Sequence, residues 1–409
     1  MNRFGTQYLA SCLVLTVLTT PTFSRSLAED VQPRELPARD PAGVGMEADQ
    51  LALIAERMRD FVEAGQIAGA VTLVARRGHT VHLEAVGLAD IEKKVPMRKD
   101  SLFAIASMTK PITATAVMIL QDDGKLSVGD PVSKYIPGFK DVRLNGESPS
   151  REITIRDLMT HTSGIGGSQR TEKTLKETVE AIVERPLDFE PGTRWQYGPG
   201  LSVCGRIIEV VSGKAYDEFL RERIFGPLGM ADTSFRPTDQ QHARLARIYQ
   251  PGAEKKAIKP ASHWLVEDVG ERAPNPSGGL FSTAGDMARF YQMILSGGQL
   301  DGKRIVSEAS VKQMTAVRTG DLTTGFTPGN GWGLGWCVVR EPQGVTEMLS
   351  PGTFGHGGAF GTQGWVDPKR EMIFVLMIQR TGFGNGDASE VRRVFQKIAT
   401  RSLRTDDPR

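Results

Sequence analysis

Hydrophobic spacing changes twice along this 409-residue chain. Apolar residues at Leu51, Ile54, Ala55, Met58, Phe61 and Val62 share one helical face and predict an amphipathic helix. Ala70–Ala75 and Thr80–Val86 are β-type runs separated by Arg76-Arg77-Gly78, which predicts a hairpin. At Leu102 an apolar run begins and passes into a helix, with Ile112, Ala116, Ile119 and Leu120 at helical spacing. Pro111 fits only in its first turn. From Gln121 to about Pro328 the pattern is mainly helical and loop-rich, with no strand series. Short helices are expected at Ile153–Met159, Thr174–Ile182 and Val203–Val211, the last ending near Gly213. Thr283-Ala-Gly-Asp286 has the form of a capping box and opens a helix carrying Met287, Phe290, Tyr291 and Ile294, closed by Gly297-Gly298. Beyond Gly331 the period shortens: Gly335–Arg340, Gly361–Val366 and Met372–Ile378 read as strands, and Val391, Val394, Phe395 and Ile398 mark a final helix.

Strands near both ends and helices between them predict an α+β fold. Its antiparallel sheet is built from residues 47–105 and 330–409, flanked by the first and last helices, with a mainly helical subdomain over 106–329 inserted. An active site is expected in the cleft between the two parts.

The N-terminus adds a different signal. Arg3 precedes an apolar run from Tyr8 to Leu18 and small residues ending at Ser24 or Ala28, the form of a secretory signal over residues 1–28. The run is too short for a spanning helix, so no integral membrane segment is expected after cleavage; an uncleaved anchor is the alternative. Leu9-Ala10-Ser11-Cys12 mimics a lipoprotein box but precedes most of the apolar run. Pro- and charge-rich residues 29–46 read as a linker, partly unordered. The mature chain is thus expected to be secreted or periplasmic. It keeps only Cys204 and Cys337, both in apolar surroundings, and buried free thiols are expected in place of a bridge. A net charge of +2 gives no support for nucleic-acid binding. His79-x-x-His82 is the one close histidine pair and reads as strand surface; no metal or other cofactor is expected.

Candidate chemistry centres on Ser107-Met-Thr-Lys110. Positions three apart share a helix face, so hydroxyl and ammonium can meet where the helix start adds free N–H groups. A serine nucleophile needs such an adjacent base. Ser107 could equally be an N-cap, but no other Ser-x-x-Lys occurs and no Gly-x-Ser-x-Gly elbow is present. Tyr197, in Trp195-Gln-Tyr197-Gly-Pro199, either packs or joins the proton traffic if a nearby lysine cation lowers its pKa. Phe354-Gly-His356-Gly-Gly358-Ala359 reads as a glycine-rich turn leading into a strand, whose free N–H groups could complete an oxyanion hole.

Together these segments resemble the serine β-lactamase and penicillin-recognising superfamily, in its class C-like branch with D-alanyl peptidases, family VIII carboxylesterases and acyltransferases. Ser107–Lys110 matches the first motif, Tyr197 the tyrosine of Tyr-x-Asn, and His356-Gly-Gly358 the His-x-Gly form of Lys-Thr-Gly. Leu158-Met-Thr-His161-Thr-Ser-Gly164 and Gly278–Asp286 also look like family segments, with His161 read as structural. The resemblance spans about Met46 to Leu403. It implies an acyl-enzyme on Ser107, proton transfer by Lys110 and Tyr197, and an oxyanion hole from the N–H groups of Ser107 and Ala359 beside His356 and Gly358. Pro199 replaces the motif asparagine and His356 the motif lysine. Proline's side chain cannot hydrogen-bond an amide, and histidine is only partly charged near neutral pH. Both changes point to a carboxylesterase for small neutral esters; a β-lactamase or D-alanyl peptidase, with an amide substrate, is the alternative, and a non-catalytic cell-wall-binding or scaffold protein the third reading.

Overall fold

The computed structural model describes residues 1–2, 32–252, 257–267, 269–325, 327–383 and 388–405. Met1–Asp30 and Val31–Arg409 form separate units. Apart from Met1 and Asn2, the signal reading lies outside the described residues. The sheet, the helices and the candidate site all belong to the second unit.

Eight strands form its antiparallel sheet: β1 (Gly69–Arg76), β2 (His79–Asp90), β3 (Val95–Pro96), β4 (Asn330–Trp332), β5 (Cys337–Val339), β6 (Phe354–Gly357), β7 (Gln363–Asp367) and β8 (Met372–Met377). Their order is β4-β5-β6-β7-β8-β1-β2-β3. The β8–β1 seam pairs Val71 with Met377 and Arg76 with Met372, so the two ends of the chain close one sheet, as their periods predict. Alternation along β1 and β8 sorts side chains into two cores. Val71, Leu73, Ala75, Ile373, Val375 and Met377 share one core with the central helices. Ala70, Val74, Met372, Phe374 and Leu376 share the other with α1 (Ala48–Glu63) and the C-terminal helix Glu390–Arg401.

α2 (Thr109–Asp122) departs from an amphipathic pattern: every residue from Thr109 to Leu120 is buried. It is the central helix, and all its faces meet protein. α3 (Ile155–Thr160), α4 (Leu175–Val183) and α5 (Gly200–Ser212) follow, α5 packing on α2 and ending at left-handed Gly213. α6 (Ala284–Leu295) begins at Thr283, which caps Asp286 N, but the reciprocal half of the expected box is missing. The Asp286 carboxylate instead accepts from Asp232 N and Thr233 Oγ1.

Several expectations change. Three two-stranded pieces lie in the middle region: 103–104 with 281–282, 249–251 with 258–260, and 299–300 with 303–304. Residues 32–46 lie along the body. Ala38 bridges Thr80, Pro41–Val44 forms a 3-10 turn capped by Asp40, and Leu36 and Val44 are buried. His82 is not strand surface; it is buried with Nε2 2.8 Å from Thr72 Oγ1. Cys204 and Cys337 are buried thiols with no disulfide between them, and Asn330 Nδ2 donates to Cys337 Sγ. Trp336 and Trp365 belong to the two cores. Among the described residues, no helix is long and apolar enough to cross a membrane.

Candidate active site

Phe103–Ala104 pairs with Phe281–Ser282, and Ile105 N donates to Leu280 O. The chain then turns sharply. Ala106 takes φ 46°, a left-handed conformation costing an L-residue on the order of 1 kcal/mol. Thr109 holds the turn, its Oγ1 donating to Ala106 O at 2.7 Å and accepting from Leu280 N. Ser107 sits inside the 3-10 turn Ala106–Met108, half-buried, and makes no capping hydrogen bond. The N-cap alternative therefore fails here.

Lys110 is fully buried in the first turn of α2. Its Nζ lies 3.2 Å from Ser107 Oγ, 3.0 Å from Gln169 Oε1 and 2.6 Å from Ser277 O. The two oxygens from Gln169 and Ser277 can only accept, so they take two N–H groups. Burial drives the Lys110 pKa well below its usual value. Nζ also donates toward Ser107 Oγ, and loss of one proton from the ammonium, which burial favours, would leave a lone pair facing that hydroxyl.

Tyr197 is half-buried in the loop before α5, and Lys110 Nζ stands 4.5 Å from its ring centroid. Because burial favours the amine, the cation invoked beside Tyr197 is weakened as a cause. The Tyr197 ring packs 4.6 Å from His161 and 6.1 Å from His356, with Trp332 at 6.0 Å. Pro199 stands at the N-cap of α5.

His356 lies within β6, a true strand, where the sequence suggested only a turn. Its glycines admit close neighbours: a Cβ on Gly355 would stand 2.2 Å from Gly364 O. His356 is buried, with Nδ1 2.6 Å from Gly357 O, so the proton resides on Nδ1 and Nε2 presents a lone pair without a partner. Burial, then the neighbouring Lys110, push its pKa down to about 3. The expected partial charge near neutral pH is thus absent. β6 runs beside the Ser107 turn. Gly358 makes this approach possible, since a Cβ there would fall 2.1 Å from Thr362 Oγ1 and 2.5 Å from Ile105 O. Gly358 N donates to Thr362 O, whereas among the described residues the N–H groups of Ser107 and exposed Ala359 carry no hydrogen bond.

The structure therefore gathers Ser107, Lys110 and Tyr197 around one amine, with His356 against Tyr197 and Gly358 against the Ser107 turn. Sequence reasoning missed Gln169, Asn275 and Ser277. Asn275 ties the two lysine acceptors together, Nδ2 donating to Gln169 O and Oδ1 accepting from Ser277 N, each at 2.8 Å. Asn275-Pro-Ser277 directly precedes the recognised Gly278 segment, which is the one signal available; Gln169 sits in a loop without periodicity.

Residues 54–397 match the Beta-lactamase family model. An uncharacterized protein of Mycobacterium tuberculosis is 32% identical over 387 residues, covering 86% of this chain and 95% of its own. Esterase EstB of Burkholderia gladioli is 29% identical over 381 residues, covering 84% and 94%. The solved structure of EstCE1, described as a hydrolase with promiscuous acyltransferase activity, superposes with a TM-score of 0.72 at 24% identity, covering 86% of this chain and 98% of that one. The fold is α+β and β-lactamase-like, and the chain belongs to the beta-lactamase family of serine hydrolases.

Proposed function

We propose that this protein is an exported carboxylesterase that forms an acyl-enzyme on Ser107 and acts on small neutral esters. The observation that carries the chemistry is Lys110 Nζ, buried, held by two obligate acceptors and 3.2 Å from Ser107 Oγ, where its deprotonated form would turn a lone pair to the hydroxyl. In acylation Oγ attacks the ester carbonyl while its proton passes to Nζ. The tetrahedral oxyanion is received by the N–H groups of Ser107 and Ala359. Tyr197, whose ring lies against the same amine, gives its phenolic proton to the leaving alkoxide and is reprotonated from Nζ. Water then attacks the acyl carbonyl, giving its proton to the Lys110–Tyr197 pair, which passes it to the departing Oγ to regenerate Ser107.

Preference for neutral esters rests on His356 and Pro199. A neutral imidazole presenting a lone pair repels a substrate carboxylate where a lysine would attract it. The similarity to Esterase EstB points the same way.

The test compares p-nitrophenyl acetate and butyrate with nitrocefin, using the purified protein and Ser107→Ala. Ester turnover exceeding lactam turnover and abolished in Ser107→Ala is expected. Dominant nitrocefin turnover would replace the esterase reading by lactamase or D-alanyl peptidase. Export is checked separately: protein recovered outside the cytoplasm should begin after Ser24 or Ala28.

A further inference from the structure

His161 ends α3 in a left-handed conformation, φ 59° and ψ 34°. Glycine is the usual residue at such an exit, and a side chain there costs on the order of 1 kcal/mol. Nevertheless the residue is tied down by its backbone oxygen and its ring Nδ1, while Nε2 is buried without a hydrogen-bond partner among the described residues. His161 O accepts from Gln196 N at 2.9 Å, and Nδ1 accepts from Gly198 N at 3.3 Å. One residue thus grips the backbone on both sides of Tyr197. Its ring also packs 4.6 Å from the phenol, with Trp195 and Trp332 at 5.9 and 5.2 Å. Accepting from Gly198 fixes the proton on Nε2, and burial keeps the ring neutral, since its pKa lies well below the ordinary value. Neighbouring backbone leaves little slack: a Cβ on Gly198 would meet Ile165 O at 2.7 Å, and one on Gly200 would meet Leu158 O at 2.4 Å.

We propose that His161 is a positioning residue that fixes the Tyr197 phenol against Lys110 by clamping Gln196 and Gly198. The inference rests on the reading of Tyr197 as a proton-transfer group. It goes beyond a packing role, because it assigns the acceptor at Nδ1 a consequence for turnover. Effective proton transfer needs donor and acceptor held at hydrogen-bond range, and a displacement near 1 Å costs about 10²-fold. Asparagine tolerates the left-handed conformation and carries its Oδ1 the same number of bonds from Cβ as Nδ1. Phenylalanine keeps the ring but leaves the buried Gly198 N–H unpaired. Glutamine keeps an acceptor but moves it one bond further out.

The experiment measures kcat and KM for p-nitrophenyl butyrate in His161→Phe, His161→Asn, His161→Gln, Tyr197→Phe and the double variant His161→Phe/Tyr197→Phe. For His161→Phe we expect kcat to fall about 10–100-fold with KM within about threefold, and His161→Asn to recover most of the loss. In the Tyr197→Phe background, His161→Phe should add less than about twofold, because both act on one step. Equal losses in His161→Asn and His161→Phe, or an unaffected His161→Phe, overturn the proposal while a deep loss in Tyr197→Phe leaves the proton-transfer reading standing. A near-normal Tyr197→Phe overturns both. If His161→Phe does not fold, His161→Gln against His161→Asn decides: a lower kcat for glutamine supports the clamp, and equal values overturn it.

Discussion

At the scale of single residues, the site is governed by which side chains are denied charge. Burial alone lowers the Lys110 pKa, with no carboxylate opposing it, which favours the neutral amine. His356 is neutral for the same reason, with Lys110 reinforcing burial. His356→Lys would bring a second amine beside the first. The expected outcome is a rise of about tenfold or more in nitrocefin turnover relative to p-nitrophenyl butyrate, read as the ratio of the two kcat/KM values. A ratio unchanged from the native protein would show that residue 356 does not set charge preference. Tyr197→Phe should cost about 10²–10⁴ in kcat, the range for general acid–base groups, and a loss below tenfold would make Tyr197 a packing residue. The residue types of this site were legible in the sequence because Ser-x-x-Lys spacing and the Gly358 turn are local. The charge state of His356 was not, because it depends on burial by Trp332 and Tyr197 from distant segments. Gln169 was invisible for the same reason: its contact with Lys110 spans 59 positions and follows no period.

Among the elements, α2 carries Lys110 and follows directly on the turn that holds Ser107, and its position depends on one glycine. Gly335 has φ 78°, and a Cβ there would stand 2.5 Å from Ala114 Cβ and 3.3 Å from Lys110 O. Its N–H also donates to Met159 O, next to the α3 exit that holds His161. Gly335→Ala should therefore destabilise by about 2–4 kcal/mol, overpacking added to left-handed strain, and lower kcat with it. Urea midpoints and butyrate turnover measure the two effects; a midpoint unchanged within error would show that α2 has room to move. Element types were readable where side chains alternate, as in β1 and β8. β6 reads as a turn in the sequence because its glycines show no alternation. They are required by the approach of β7, whose Gly364 O and Trp365 would meet any Cβ on Gly355.

For the molecule as a whole, acid and alkali act on different buried groups. His82 is lowered to about 4 by burial, with Glu84 opposing and Lys99 adding; His356 is lowered to about 3, and His161 lies well below its usual value. These groups are neutral when folded and free to protonate when unfolded. Their contribution is fully present above the unfolded pKa near 6.5 and is lost as pH falls through the folded values. For His82 alone the loss by pH 4 is about 3 kcal/mol at most. Asp286 acts in the opposite sense. Burial raises it to about 7, against the hydrogen bond from Thr233, so its contribution is present below about 4 and lost as pH rises through 7. Denaturation midpoints for Asp286→Asn, compared with the native protein from pH 5 to 8, should converge at low pH and diverge in favour of the variant toward pH 8. Parallel curves would show that Asp286 is already ionised in the fold.

The seam between β1 and β8 also sets a clock. Paired residues on it are about 300 positions apart, and β6 follows Ser107 by nearly as much. At roughly 5–20 residues per second, the ribosome delivers β6 on the order of 10–50 s after the Ser107 turn. Throughout that interval the growing chain already contains Ser107 and Lys110, yet it lacks the strand that leads to Ala359 and the partner that closes β1. The proposed site is therefore incomplete until the strands beyond Phe354 have been made, and a chain interrupted before them carries Ser107 and Lys110 without that strand.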